Sequence, residues 1–409
     1  VNVDYQCSEQ GNTITFKQSR YLPLGANSKA EQTWHLPVCV TTVTDTGKEE
    51  QCHMLTQQTE SFQLSGDNCP LAVMPNSEGK GYYRWSLPSE KKTALMNSFD
   101  KLSAAEKYST ASNISAEFKA GRINASQYLS SIKPVVADKD WELLSQPVGT
   151  INFISNNIAN DKEKAKISEY LSTLYQPKLD EIGLTADTTF DMENPVETKL
   201  LRKTLINLVA LTLEQPELLE KLAAMGEKMI GYKTDNQLNV ESVDPELQAP
   251  ALQSAVMVHG LPFAEAAIAQ LDNTDDGTIR QRLLVAVGRS KDPQVSVMVL
   301  DLLTSLSLRV NERLTLLGSH MSHKENQKNV YQWFKSKYSI ISFVIPKKYL
   351  GMAPMIGSGF CSKEMHKDVE TFFQSKMEEN PDSERHLSTA LERISMCIAL
   401  KESQVEVNI

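Results

Sequence analysis

Along the first 88 residues apolar and polar side chains alternate in short runs. Trp34, Leu36, Val38 and Val40 take turns with polar or small residues, and Thr13–Phe16 is a shorter run of the same kind. A period of two puts alternate side chains on opposite faces, so each run predicts a half-buried strand. Asp45-Thr46-Gly47 supplies a turn before a second strand at Gln51–Thr56, which together predict a hairpin. Asp67-Asn68 and Pro75-Asn76 mark further turns, and Tyr82, Tyr83 and Trp85 predict an aromatic strand. Short strands divided by turn clusters predict a small β-sandwich over residues 1–88.

After Pro88 the period changes to 3.6 and stays there. Thr198–Glu214 carries apolar positions at Leu201, Leu205, Leu208 and Val209. Gln215-Pro216 breaks that run, and Pro216 suits the first turn of a helix that ends near Gly231. The same order recurs. Asp244-Pro245 precedes a helix to Gly260, Pro262 opens one ending near Leu271, Thr278–Gly288 follows, and Asp292-Pro293 caps a helix over Val295–Leu308. Helix pairs repeating at roughly 30–40 residues resemble irregular HEAT-like units, whose apolar faces are buried on their neighbours. The expected architecture is therefore α+β and multidomain: a small N-terminal β-sandwich (1–88), then a large all-α HEAT/armadillo-like superhelical domain (89–409).

Composition narrows the partners. With 42 basic against 51 acidic side chains, the net charge of -9 argues against nucleic-acid binding, which needs a basic stripe to neutralise phosphates. The most apolar run, Ile340–Pro346, is far shorter than the roughly 18 residues of a membrane span and is flanked by lysines, so no transmembrane segment is expected. There is no signal-peptide pattern, and a chain that begins with Val1 fits either a processed protein or an expressed fragment. Cys7, Cys39, Cys52 and Cys69 crowd the first 70 residues, while Cys361 and Cys397 lie far downstream. Even numbers in local clusters suggest disulfides and an oxidising compartment, although six cysteines allow 15 pairings. The absence of any Cys-x-x-Cys argues against zinc ligation by these thiols.

Catalytic motifs are missing letter by letter. No histidine is followed by glutamate, so there is no His-Glu-x-x-His to hold zinc beside a general base. There is no Gly-x-Ser-x-Gly elbow and no dinucleotide fingerprint, and Gly47-Lys48 and Gly79-Lys80 lack the rest of a phosphate loop. No catalytic and no metal residue is therefore assigned. His320 and His323 stand three apart on a helical pattern, yet no third ligand is signalled, and a solvated helix end is expected. Arg280, Arg282 and Arg289 form a basic cluster, read as a solvated face or as a patch that attracts a peptide carboxylate. Asn113-Ile-Ser and Asn124-Ala-Ser match the glycosylation acceptor pattern.

Three ordered segments resemble the zinc aminopeptidase N family. Gln18-Ser19-Arg20-Tyr21 with Trp34-His35-Leu36-Pro37 is similar to the opening strands of that family's sandwich domain. Pro75-Asn76 with Gly81-Tyr82-Tyr83-Arg84 resembles the strand that closes it. Gly359-Phe360-Cys361, Val369–Phe373, Arg385 and Leu391–Ile394 resemble the last helices of its C-terminal domain, with Arg282–Ala286 and Asp292-Pro293 fitting the helical middle. The family's substrate-binding and zinc domains have no counterpart here, so its catalytic and zinc-binding residues transfer to no position of this chain. The resemblance implies a parent enzyme that removes N-terminal residues from peptides, with zinc in the missing catalytic domain. This chain would close and cap the active-site chamber and meet two partners, the peptide substrate and the missing domain. It also implies the pairs Cys39–Cys52, Cys7–Cys69 and Cys361–Cys397, and a periplasmic or secreted location. The competing expectation is a stand-alone sandwich-plus-solenoid interaction module with no enzymatic activity.

Overall fold

The computed structural model describes residues 1–407 apart from 10, 27, 29–31, 67, 187–190, 193–194, 306 and 345–346. Asp67 of the expected 67–68 turn and Ile345-Pro346 of the apolar run lie outside the described residues. Among the described residues six strands come first: β1 (Asn2–Ser8), β2 (Gly11–Lys17), β3 (Leu36–Val43), β4 (Lys48–Leu55), β5 (Thr59–Leu64) and β6 (Ala72–Met74). They form two antiparallel three-stranded sheets, ordered β1-β2-β5 and β4-β3-β6. Both sheets feed one core. Val3, Tyr5, Ile14 and Phe16 of the first join Val38, Val40, Leu55 and Met74 of the second. Each such side chain, almost wholly removed from water, contributes about 1.5–3 kcal/mol. Alternation makes β2, β3 and β4 legible; β1 alternates as strictly, Val3, Tyr5 and Cys7 against Asn2, Asp4 and Gln6, yet is not among the expected strands, and β5 alternates more weakly.

The expected aromatic strand does not form. Tyr82–Trp85 is irregular, and only Ser86 makes a bridge, parallel to Asn2. The cause is local. Tyr83 folds back so that its hydroxyl donates to the Pro75 carbonyl at 2.8 Å, and Tyr82 is fully exposed. A Cβ on Gly81 would lie 2.1 Å from the Tyr83 ring, so only glycine lets the ring sit there.

Packing divides the chain into two compact units, Val1–Ile167 with Ala399–Ile409, and Ser168–Ile398. Strands give way to helices at Pro88, where α1 (Ser89–Asn97) begins, followed by α2 (Ala104–Lys119), α3 (Ala125–Ser131), α4 (Lys133–Val136), α5 (Trp141–Ser145), α6 (Val148–Asn157) and α7 (Asp161–Ile182). Leu95, Phe99, Ala111, Val135 and Leu143 from this stretch complete the strand core. The first unit also takes back the distal segment, where Val407 N–H donates to Glu163 at 2.8 Å and Gln404 accepts from Ala125 N–H at 2.8 Å.

The second unit is helical among its described residues. α8 (Pro195–Ile206) runs into a π-turn at Asn207–Thr212 and is followed by α9 (Pro216–Ile230), α10 (Gln248–His259), α11 (Leu261–Ala269), α12 (Gly277–Gly288), α13 (Pro293–Thr304), α14 (Val310–Met321), α15 (Lys324–Val344), α16 (Lys347–Leu350), α17 (Lys363–Gln374) and α18 (Glu384–Glu402). The proline starts and the Asp292 cap read from the sequence are present, and Asp276, not read there, makes a second cap: each aspartate accepts a backbone N–H of the first turn. α9 and α10 approach closely because residue 226 is glycine; a Cβ there would lie 2.5 Å from the Ala251 carbonyl oxygen. The distal core is aromatic, with Tyr331, Phe334, Tyr338, Phe360 and Phe373 buried together. Tyr331 and Phe360 meet edge-on, centroids 5.4 Å apart.

Candidate functional site

Three buried carboxamides organise one region of the first unit. Gln18 donates to the carbonyls of Trp34 and Gln57, both at 2.9 Å, and accepts from Trp34 N–H at 2.8 Å. Asn76 donates to the Gly81 carbonyl at 3.0 Å and accepts from its N–H at 2.8 Å. Asn113 accepts from Trp85 N–H at 2.9 Å and donates to the Trp85 carbonyl. Each amide thus satisfies backbone groups that have no strand beside them, which would otherwise cost about 1–3 kcal/mol apiece when buried. An amide side chain is the only neutral one that both donates and accepts in this geometry.

These clamps hold the walls of a groove of about 1260 Å³. One wall is Gln18–Tyr21 with Trp34 and Leu36, another is the loop from Asn76 to Arg84, and the floor is the α2 face bearing Ala105, Tyr108, Ser109 and Ser112. Positions 105, 108, 109 and 112 follow the i, i+3, i+4, i+7 rule for one helix face. α2 itself is fixed to the second sheet through Glu106, which accepts from Thr41 Oγ1 at 2.5 Å and from Ser103 N–H at 2.9 Å as half of a capping box.

The groove carries three arginines. Arg84 donates to Ser112 Oγ at 2.8 Å, and among the described residues no carboxylate lies within ion-pair distance of Arg20, Arg84 or Arg122. The guanidinium groups of Arg84 and Arg122 both bear on the Tyr21 hydroxyl, which burial pushes up and these two cations pull down. That hydroxyl donates to the Ala116 carbonyl at 2.9 Å. Burial also pushes the Tyr83 phenol well above its usual range. No histidine lines the groove among the described residues; its charged side chains are arginines and the carboxylates Glu78, Asp140 and Glu142. The groups on offer are cations, carboxylates, aromatic faces and hydroxyls.

The sites expected from sequence fall elsewhere. Arg280 is not available to a ligand: it is buried, pairs with Glu312 at 2.6 and 3.1 Å, and donates to the carbonyls of Leu271 and Thr274. Arg282 and Arg289 lean onto the amides of Gln248 and Gln253 on α10. The solvated helix end expected for His320 is also corrected. Its ring is fully buried, with Nδ1 2.8 Å from the Gly288 carbonyl and Nε2 2.9 Å from Ser296 Oγ. A carbonyl only accepts, so Nδ1 carries the hydrogen and Nε2 accepts from the serine. Burial lowers the pKa of His320, and burial with Lys291 nearby lowers that of His323.

The cysteines form Cys7–Cys69, Cys39–Cys52 and Cys361–Cys397, the pairs the resemblance implied, and none is free. Cys39 and Cys52 stand directly opposite on β3 and β4, Cα atoms 4.0 Å apart. Glu50 is near them, but two sulfurs bonded to each other cannot ligate a metal as thiolates. Three disulfides suit an oxidising, extracytoplasmic compartment. Asn113 is wholly buried and committed to Trp85, so its acceptor triplet is unusable; Asn124 caps α3. Sequence reading names Gln18 and Asn76 within the resembling segments and Asn113 within an acceptor triplet, but gives none of them the clamping role; their immediate neighbours are mostly polar or small and offer no local signal of burial.

A family model described as ERAP1-like C-terminal domain matches residues 72–396, from β6 into α18. No curated protein matches the chain.

Proposed function

The chain belongs to the ERAP1-like C-terminal domain family, and from that membership we propose that it is the non-catalytic C-terminal region of a zinc-dependent aminopeptidase that removes N-terminal residues from peptides. The observation that carries the reading is the extent of the match, residues 72–396, over a chain whose letters contain no His-Glu-x-x-His. On this reading zinc and the general base belong to a catalytic portion outside this sequence. The helices of a HEAT-like stack close a chamber over that portion, limit the length of peptide admitted and touch the peptide beyond its reacting end. The location is periplasmic or secreted, in keeping with three disulfides.

The test has two parts. The isolated 409-residue chain should bind no stoichiometric zinc by elemental analysis and hydrolyse no aminoacyl chromogenic substrate; zinc-dependent turnover overturns the non-catalytic assignment. The catalytic portion, expressed with and without residues 89–409, should lose its discrimination between short and long peptides when they are removed. An unchanged length profile overturns the capping role.

A further inference from the structure

We propose that reduction of the Cys39–Cys52 disulfide turns the outer face of the β3–β4 hairpin into a metal site, in which the two thiolates and the Glu50 carboxylate hold one thiophilic divalent cation. The disulfide-bonded chain binds none there. The proposal goes beyond the chamber-capping reading and does not rest on it.

The backbone keeps the ligands together without the sulfur bond. β3 and β4 are paired from Leu36 opposite Leu55 to Val43 opposite Lys48, and the Cys39–Cys52 pair lies inside that ladder. Val38 and Val40 are buried, so the period of two turns Cys39 to the other face, where Cys52 and Glu50 are exposed. Ladder hydrogen bonds and core packing therefore set the register. Reduction leaves the two Cα atoms 4.0 Å apart. Sulfurs sharing one tetrahedral zinc, each at about 2.3 Å, stand about 3.7 Å apart, which two directly opposite side chains reach by rotating at Cβ. Among the described residues no other group of three His, Cys, Asp or Glu side chains brings its ligand atoms within 4.8 Å of one another.

Glu50 is aimed at the sulfurs. Its Oε2 accepts from Ser77 Oγ at 2.6 Å and from Lys80 Nζ at 2.9 Å, while Oε1 faces Cys52 Sγ at 3.6 Å. A sulfur and an oxygen on one tetrahedral zinc also stand about 3.6 Å apart. Ser77 and Lys80 fix the carboxylate through the oxygen that the cation does not use, as outer partners do for metal ligands, and the Lys80 charge stays on that far side. Two thiolates and one carboxylate leave a fourth position for water. Sulfur selects zinc or cadmium over magnesium or calcium.

A dithiol reductant supplies the electrons. Its thiolate attacks the exposed Cys52 sulfur and the Cys39 thiolate leaves; its second thiol then displaces Cys52 from the mixed disulfide. Two electrons pass to the pair, and the reductant ends as a disulfide. The cation then replaces the two thiol protons.

The probe is cadmium chloride, titrated into the full 409-residue chain after dithiothreitol reduction and removal of the reductant without air. Thiolate-to-cadmium charge-transfer absorption reads the binding. The reduced parent should take up one equivalent that reduced Cys39→Ser/Cys52→Ser lacks, and excess magnesium or calcium should not displace it. That equivalent should bind about tenfold or more weakly in Glu50→Gln and unchanged in Glu49→Gln, whose side chain alternates to the other face of β4. The unreduced parent should lack it. Equal cadmium uptake by the parent and Cys39→Ser/Cys52→Ser, or unchanged affinity in Glu50→Gln, overturns the proposal. Peptide mapping that finds Cys39–Cys52 intact after dithiothreitol overturns it too. So does loss of the thermal unfolding transition on reduction, since the hairpin then no longer holds the ligands.

Discussion

Asn113 and Trp85 are joined twice, the side-chain amide of one gripping both backbone polar groups of the other across 28 residues of sequence. Trp85 is 2% exposed and Asn113 1%, so neither backbone group of Trp85 has water to fall back on. Asn113→Ala should therefore destabilise the protein by about 2–4 kcal/mol, and Asn113→Asp by a comparable amount, since a carboxylate accepts but does not donate. Chemical denaturation measures the loss. A variant within about 0.5 kcal/mol of the parent would mean the clamp is not what holds the segment.

Removing one partner of the Arg280–Glu312 pair should cost more than removing both. The two side chains are 9% and 7% exposed, and the Arg280 hydrogen bonds hold the Glu312 carboxyl below its usual range. Arg280→Met strands a buried carboxylate and should cost about 3–5 kcal/mol, whereas Arg280→Met with Glu312→Leu should recover much of that loss. A double-mutant cycle in urea decides it; additive losses would contradict the pairing.

Acid should loosen the second unit before its carboxylates titrate. Folding keeps His320 and His323 neutral below the pH at which free imidazoles, near 6.5, take up a proton. The unfolded chain then binds more protons than the folded one, so stability falls as the pH drops below about 6.5. His323→Gln should flatten the decline in urea midpoint between pH 7 and 5. An equal slope in the two proteins would show that other groups carry it.

The Cys361–Cys397 bridge closes a loop with a sequence separation of 36 in the distal aromatic core. Chain-entropy arguments give about 3–4 kcal/mol for a loop of that size. Cys361→Ser/Cys397→Ser should lower the unfolding midpoint accordingly. The Cys39→Ser/Cys52→Ser pair, with a separation of 13, should lower it less. Calorimetry that ranks them the other way would defeat the loop-length account.

Helix starts and stops were legible because they are written in local chemistry. Pro216 at a first turn, Gly231 after a last one, and Asp292 as a cap all sit where the sequence predicts. The groove was not legible, because it depends on partners far apart in sequence: Gln18 reaches Trp34 and Gln57, and Asn113 reaches Trp85. Asn113 was read as a modification acceptor because three letters say nothing of burial. The sequence places Arg280 on a solvated face or in a carboxylate-attracting patch, and neither is what forms, because its partner Glu312 lies 32 residues away. The aromatic letters at 82–85 mimic a strand, and only the Asn76–Gly81 contact and the fold-back of Tyr83 explain why they are not one.

The return of residues 399–407 to the first unit has a consequence for biosynthesis. The Asn160 side chain accepts from Glu163 N–H at the start of α7, and the Glu163 carboxylate accepts in return from Asn160 N–H and also from Val407 N–H. A ribosome adding about 5–20 residues per second releases the intervening second unit over roughly 10–50 s. Throughout that interval the nascent first unit has strands, groove and disulfide partners in hand but lacks its closing strap. An oxidising environment that forms Cys7–Cys69 and Cys39–Cys52 early would hold the half-built unit together while translation catches up.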